Sequence, residues 1–495
     1  METARESKEP ALVEPIVIPT KSRFRNAIGK YRVRRSTACA ACGKCVEVCA
    51  FSVHEIRNKK PAPPKEYLCV GTSCMKCVEA CPNKALSVEQ NPLTEVIGDR
   101  RWTPDLLIST WHMAETGAVP PEGVEYEVGD SGGGFDKLRF VYKKKLPKKF
   151  DPADYDLTLQ LNRANDGRDP GLIGLPVYGG GMSYGSINLM AIIARARAWQ
   201  AMNSFTCTGE GGYPEELYPY DENVITQVAT GLFGVREETI QRVRMVEFKY
   251  AQGAKPGLGG HLLGDKVTAA VARMREAVPG NPLFSPFPFH SVYSVEDHKK
   301  HIDWIKEINP RAIVSVKVST PTDVDMVAVG SYHAGAHVVH LDGSYGGTGA
   351  APDIAKKNIA MPIEYAIVKV HNFLLDEGIR DKITVIASGG LRTPADVAKA
   401  IALGADGVVV GTSEMVAMEC IRCSFCESGR GCARGIASTD PVLMQLIDVE
   451  WATQRLINMF SAWKVELAKI LCRCGLTSTR ELVGRSDLLR HLDYE

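Results

Sequence analysis

Apolar and polar positions alternate in two different ways along this chain. From about residue 151 onward, short apolar or β-branched runs recur, each closing on glycine or a polar residue, with helical periodicity between them. Eight runs read as strands: LPVYGG, SFTCTG, VEFKYAQG, NPLFSPF, AIVSVKVS, AHVVHLDG, ITVIASGG and GVVVGT. Strands that are apolar almost throughout, separated by helices, describe a parallel sheet covered on both faces. Eight of them predict an α/β fold of the (β/α)8 TIM barrel type, with its site at the strand C-termini. A doubly wound open sheet is the competing architecture.

Before residue 151 the pattern breaks down. Residues 1–35 read as an irregular leader rich in basic side chains (Lys21, Arg23, Arg25, Lys30, Arg32, Arg34, Arg35), without the apolar core of a signal peptide. Residues 36–90 form a compact cysteine-rich module. Residues 91–150 are a connecting segment with a glycine-rich turn, GDSGGG, and a lysine-heavy boundary, KKKLPKKF. Residues 151–495 are the barrel.

Fifteen cysteines make placement informative, and no secretory signal favours disulfides. Cys39, Cys42, Cys45 and Cys49 are spaced C-x2-C-x2-C-x3-C, and Cys69, Cys74, Cys77 and Cys81 C-x4-C-x2-C-x3-C-P. These runs resemble bacterial two-cluster ferredoxins, in which the fourth cysteine of each run ligates the other cluster. The resemblance implies a small N-terminal ferredoxin-like domain with one [4Fe-4S] cluster on Cys39, Cys42, Cys45 and Cys81, and a second on Cys69, Cys74, Cys77 and Cys49. Paired structural zinc sites are the alternative. A third group, Cys420, Cys423, Cys426 and Cys432, lies in the iron-sulfur candidate segment 418–435. Cys207, Cys472 and Cys474 read as reduced thiols without a role.

Candidate chemistry in the barrel begins with its last two strands. Ser388, Gly389 and Gly390 follow one, and Gly411 and Thr412 the next, suiting the phosphate of a flavin mononucleotide (FMN) bound by backbone N–H groups. The segment GGGMSYGSIN, with Met182 and Ser183, offers small residues against a flat ring. Lys317 would place a cation beside the flavin, and Asp342 is its partner or a ring contact.

The segments MSYGSI, TGEGG, QVATGLFGV, AQGAKPGLGG, SVKV, DGSYGGTGAAP and LVGRSDLL closely resemble the synthase domain of glutamate synthases over roughly residues 150–490. With the ferredoxin-like module, the whole resembles the short, archaeal-type members of that family. The resemblance implies reduction of 2-iminoglutarate, formed from 2-oxoglutarate and ammonia, to L-glutamate on FMN. Arg275 matches the family's substrate-carboxylate arginine. Lys249, Gln252 and Lys255 match further substrate or flavin contacts, and Glu210 a glutamate near flavin and cluster. The family's third cluster is [3Fe-4S] on C-x5-C-x4-C. Here Cys420, Cys426 and Cys432 run C-x5-C-x5-C, and Cys423 adds a C-x2-C-x2-C knuckle that suits [4Fe-4S].

There are departures. His261 stands where the family has a substrate-binding glutamine, Leu258 where it has glutamate, and Phe289 and Ser291 where it has histidine and aspartate. The same machinery acting on another carboxylate or imine, such as N-methylglutamate synthase-like chemistry, is therefore an alternative. An electron-transfer subunit of a larger complex is a second. Neither an amidotransferase domain nor a GxGxxG motif after a strand is found. Ammonia and electrons are then expected from partners: a separate glutaminase-like subunit, and an electron donor protein or NAD(P)H-oxidising subunit, in an oligomer or complex. With 59 basic against 58 acidic residues, charge points to no nucleic-acid partner. No apolar run is long enough for a membrane span, so a cytoplasmic location is expected.

Overall fold

The computed structural model describes residues 15–494 except 25–27, 125, 128, 130–133, 288, 348, 350, 353, 357 and 428–430. Residues 1–14 and 25–27 of the expected leader, and most of GDSGGG, lie outside the described residues.

Eight parallel strands form the barrel: β1 (Val177–Gly179), β2 (Thr206–Cys207), β3 (Val224–Val228), β4 (Met245–Lys249), β5 (Ile313–Ser319), β6 (Val338–Asp342), β7 (Thr384–Ser388) and β8 (Gly407–Val410). They neighbour one another in the order β1-β8-β7-β6-β5-β4-β3-β2. The two ends meet where the Gly179 N–H donates to the Phe205 carbonyl (2.8 Å) and Gly181 bridges Cys207 in parallel. Every residue of these eight strands is buried, because helices cover the outside and side chains fill the inside.

One expected strand is wrong and one was missed. In NPLFSPF, Leu283–Ser285 leaves the barrel and pairs antiparallel with Gly260–Leu262. Its alternation betrays it, since Leu283 and Ser285 are buried while Phe284 is 66% exposed. Alternation belongs to a half-exposed hairpin, not to a strand covered on both faces. The third barrel strand is β3, whose VITQV carries two polar residues, Gln227 on the inward face beside Glu247 and Thr226 on the face turned to the helices.

The interior is layered. Tyr178, Phe205, Ile225, Met245, Ile313, Val338, Ile386 and Val409 pack with Leu159, Leu161 and Ile173 from a hairpin that closes the strands' N-terminal end. Cys207 belongs to this apolar plug, and burial pushes its thiol up to about 12. Polar side chains come next along the strands, and the loops beyond them.

The N-terminal module is built on Tyr31–Arg35 pairing antiparallel with Leu86–Gln90. It packs on helix Pro104–Thr116, which lies against the long C-terminal helix Val449–Cys474. Cys472 and Cys474 are buried on that helix. Glu419, fully buried, accepts hydrogen bonds from Ser22 Oγ (2.8 Å) and from the N–H and Nε of Arg23 (2.8 and 3.1 Å), and it also pairs with Arg434. One carboxylate thus ties the chain's start to the residue before Cys420.

A buried ion pair sets the β1 loop. Arg195, on helix Leu189–Ala201, donates to both oxygens of Glu414 (2.9 and 3.0 Å) and to the Gly180 carbonyl (2.5 Å), and Trp199 Nε1 donates to Glu414 (2.8 Å). Both side chains are inaccessible. Removing one partner strands a buried charge, so Arg195→Met should cost about 3–5 kcal/mol. The expected readout is a lowered thermal unfolding midpoint that Glu414→Leu in the same chain largely restores.

Candidate active site

Loops leaving the strand C-termini enclose one cavity of about 280 Å³. All fifteen residues expected to contact substrate or cofactor line it. Met182 and Ser183 follow β1, Glu210 follows β2, Lys249 ends β4, and Gln252 and Lys255 follow it. Lys317 lies on β5, and Asp342 and Ser388 end β6 and β7. Gly389 and Gly390 come next, Gly411 and Thr412 follow β8, His261 comes from the hairpin and Arg275 from the end of helix Ala269–Arg275.

Three cations share one carboxylate here. Lys249 Nζ donates to Glu210 Oε1 (3.2 Å); burial lowers the basicity of Lys255 and Arg275, and the charge of Glu210 offsets part of that in both. Arg275 Nη2 is fixed by Ser183 Oγ (2.8 Å) and the Tyr184 carbonyl (2.9 Å). Arg275 Nε and Glu210 Oε2 are buried without a hydrogen-bond partner among the described residues. Unmet buried groups cost about 1–3 kcal/mol each, which a bound ligand would relieve. Lys266 and Glu427 nearby neutralise each other (3.2 Å). The cluster of three cations and Glu210 therefore carries two positive charges in surplus, suited to a dianion.

Burial, with the charge of Lys249, lowers Lys255 to about 8. Burial, then the charge of Lys255, lowers His261, so its ring is neutral at neutral pH. A neutral imidazole offers one donor and one acceptor, as a glutamine amide does. His261 alone among the four departures lines the cavity. Leu258 is 54% exposed, Phe289 packs against Phe248 and Tyr250, and Ser291 meets His301.

A polar chain crosses the barrel beneath the cavity. Lys317 Nζ lies 3.4 Å from Asp342 Oδ2, which also accepts from the Gly253 N–H (3.0 Å). Ser388 Oγ donates to Asp342 Oδ1 (2.6 Å), and His340 spans Ser388 (2.8 Å) and Glu247 (2.9 Å). Gln227 and Ser315 complete the shell of Glu247 (2.6 and 3.0 Å). Burial opposes its ionisation, yet His340 and Lys317 hold Glu247 at about 2. Burial likewise opposes charge on Lys317 and Asp342, and each keeps the other ionised.

Gln227, Glu247 and His340 were not foreseen. Gln227 sits on the missed strand, and Glu247 and His340 were legible only as polar residues inside VEFK and HVVHL. Trp102 and Arg422 also line the cavity unforeseen; Arg422 pairs with Asp99 (2.7 Å), bringing the connecting segment to the barrel mouth.

At the loops after β7 and β8, side chains are excluded. A Cβ on Gly389 (φ +103°) would lie 2.6 Å from the Gly343 carbonyl oxygen, and Gly390 (φ +92°) meets Tyr345 at 2.9 Å. Only glycine gives this backbone its conformation and its bare surface.

Cysteines ring three smaller hollows. Cys39, Cys42, Cys45 and Cys81 surround one, and Cys49, Cys69, Cys74 and Cys77 a second. Cys420, Cys423, Cys426 and Cys432 surround the third. Cys420, Cys426 and Cys432 also line the large cavity, whereas Cys423 faces only the hollow. Gly349 closes in on this site, since a Cβ there would sit 2.9 Å from Cys426 Sγ. Backbone N–H groups of Val53, Gly71 and Ala85 donate to Cys49, Cys69 and Cys81 (3.4, 3.4 and 3.2 Å).

Fold and site define a (β/α)8-barrel enzyme in which one large cavity joins a glycine-built cradle to a cationic cluster. The sequence profile described as a conserved region in glutamate synthase matches residues 141–477. An archaeal-type glutamate synthase [NADPH] of Dehalococcoides mccartyi is 36% identical over 477 residues, 91% of this chain and 93% of the relative. An archaeal glutamate synthase [NADPH] of Archaeoglobus fulgidus is also 36% identical, over 93% of this chain and 94% of its own. The glutamate synthase [NADPH] large chain of Azospirillum brasilense is 36% identical over 63% of this chain and 21% of its own. The chain belongs to the glutamate synthase family and is an oxidoreductase of that class.

Lys255 sets a pH dependence. Its charge is present below about 8 and lost above, and a bound anion pushes that loss upward. Affinity for a dicarboxylate should therefore hold near pH 7 and weaken as pH rises past about 8. Calorimetric titration with 2-oxoglutarate at stepped pH checks this, and Lys255→Arg should remove most of the decline.

Proposed function

We propose that this protein reduces 2-iminoglutarate, formed from 2-oxoglutarate and ammonia, to L-glutamate, with FMN in the barrel and iron-sulfur clusters in the three cysteine hollows. The observation that carries the reading is the cationic cluster, whose surplus of two positive charges matches a dicarboxylate. It lines the same cavity as the glycine cradle and three cluster cysteines.

FMN fits the residues present. Gly389, Gly390, Gly411 and Thr412 offer bare backbone for its phosphate, and Lys317, which lines the same cavity, would supply a cation that favours a reduced flavin. When bound, FMN supplies a hydride acceptor and donor that also accepts single electrons. The protein's own task is orientation. Arg275 holds one carboxylate through a planar guanidinium, Lys249 and Lys255 hold the other, and His261 and Gln252 offer neutral hydrogen bonds to the remaining polar atoms. Fixing both ends of a short dicarboxylate would orient its central carbon for the transfer, which is where positioning gains most.

Four thiolates around each hollow suit cubane clusters. Cys39, Cys42, Cys45 and Cys81 would hold one and Cys49, Cys69, Cys74 and Cys77 another, while Cys423 makes the third a four-thiolate site. Among the described residues no three His, Cys, Asp or Glu side chains gather as a single-ion site. A donor protein or NAD(P)H-oxidising subunit, and a glutaminase-like source of ammonia, are the partners this reading needs. A second reading, a related imine or N-substituted glutamate, is favoured only by His261.

Two measurements test the reading. The anaerobic holoenzyme, given reduced ferredoxin, ammonia and 2-oxoglutarate, should form L-glutamate, and Arg275→Ala should raise KM for 2-oxoglutarate about 10- to 100-fold, the loss of one charge-assisted contact. No glutamate with intact cofactors would refute it. Separately, Cys423→Ser should convert the electron paramagnetic resonance signal of the third site from a [4Fe-4S] to a [3Fe-4S] type; an unchanged spectrum would remove Cys423 from the ligand set.

A further inference from the structure

The N-terminal module is charged unlike the rest of the chain. Residues 31–90 carry ten Lys or Arg against five Asp or Glu, leaving 49 basic against 53 acidic residues elsewhere. Its two hollows also differ in position. Phe51 lines the hollow of Cys49, Cys69, Cys74 and Cys77. With Tyr67, Phe51 packs on the apolar cluster of Trp102, Leu106 and Trp111 that takes in Cys420. That hollow faces the barrel.

None of the described residues lining the hollow of Cys39, Cys42, Cys45 and Cys81 joins that cluster, and Cys42 is exposed. This hollow faces outward. Its wall includes Lys44, Ile56 and Pro61, and the hairpin pairing Ile56–Arg57 with Lys60–Pro61 turns at Asn58 and Lys59. Lys84 follows the lining residue Asn83. Glu47 pairs with Lys44, and Glu55 with Arg57 and Lys65. The exposed Lys59, Lys60 and Lys84 have no ion pair among the described residues.

We propose that this basic rim beside Cys42 is the docking surface for an acidic one-electron carrier protein, so that electrons are taken up at the outward hollow and pass the inner hollow before reaching Cys420. The proposal rests on reading the hollows as iron-sulfur sites. Each docking moves one electron: the carrier is oxidised by one, and the group held by Cys39, Cys42, Cys45 and Cys81 is reduced by one. Two such events supply the electron pair that one imine reduction consumes. Opposed charges speed such encounters by about 10- to 1,000-fold at low salt and lose effect as salt rises.

The test is anaerobic stopped-flow bleaching of the holoenzyme's iron-sulfur absorption, without substrate. The reductants are a reduced acidic two-[4Fe-4S] ferredoxin and, as a small uncharged control, photoreduced deazaflavin. Lys59→Glu, Lys60→Glu and Lys84→Glu together should slow reduction by ferredoxin at least about tenfold and flatten its salt dependence. Reversing Lys299, Lys300 and Lys382, exposed on the barrel, should change it less than about twofold, and deazaflavin should bleach every form equally. In the unaltered protein the ferredoxin rate should fall as salt rises. Equal slowing by both triple variants, no slowing by either, or a rate indifferent to salt would overturn the docking surface. No bleaching of the unaltered protein even by deazaflavin would instead refute the cluster reading beneath it.

Discussion

The site depends on a charge ladder held inside an apolar barrel. Lys317, Asp342, Ser388, His340 and Glu247 come from four adjacent strands and lie above a plug of Tyr178, Phe205, Ile225 and their neighbours. Each of these charges would be expensive alone in such surroundings. Together they are balanced: two carboxylates face two cationic or protonatable partners, and Ser388 joins the halves. The ladder fixes Lys317 as an ammonium at the cavity floor without a flexible side chain having to find its place.

Most of this was legible because parallel barrels separate what builds the fold from what does the chemistry. Strands buried on both faces announced themselves as apolar runs, and residues just past their ends, from Ser183 to Thr412, lie on the cavity as their positions implied. Where reading failed, the cause was physical. Leu283–Ser285 imitated a strand through alternation, which marks a half-exposed hairpin. Val224–Val228 was passed over because Thr226 and Gln227 interrupt its apolar run; Gln227 faces an interior that is itself polar at that level, while Thr226, on the opposite face, is buried with Val224 and Val228. His340 and Glu247 were hidden for the same reason: their partners are on other strands, and no local spacing encodes them.

The cysteine groups were legible at short range and ambiguous at long range. Spacing identified which thiols are near neighbours in sequence, while the exchange of Cys49 and Cys81 between hollows came from resemblance alone. The structure places each group of four about its own hollow and sets the third against the cavity wall. Cys423 lines that third hollow but, unlike Cys420, Cys426 and Cys432, not the cavity. Of the departures from the family pattern, Leu258, Phe289 and Ser291 lie off the cavity, and His261 alone bears on what the cavity accepts.

The proposed chemistry requires one cavity to couple a flavin, a dicarboxylate and a chain of clusters. Anaerobic analysis of the purified protein for iron, sulfide and flavin, followed by addition of 2-oxoglutarate while watching the flavin spectrum, addresses it in one preparation. The expected result is one FMN with about 12 iron and 12 sulfide per chain, as three cubane clusters require, and a flavin spectrum that shifts when 2-oxoglutarate binds. Protein that carries zinc in place of iron, or a flavin indifferent to 2-oxoglutarate, would contradict it.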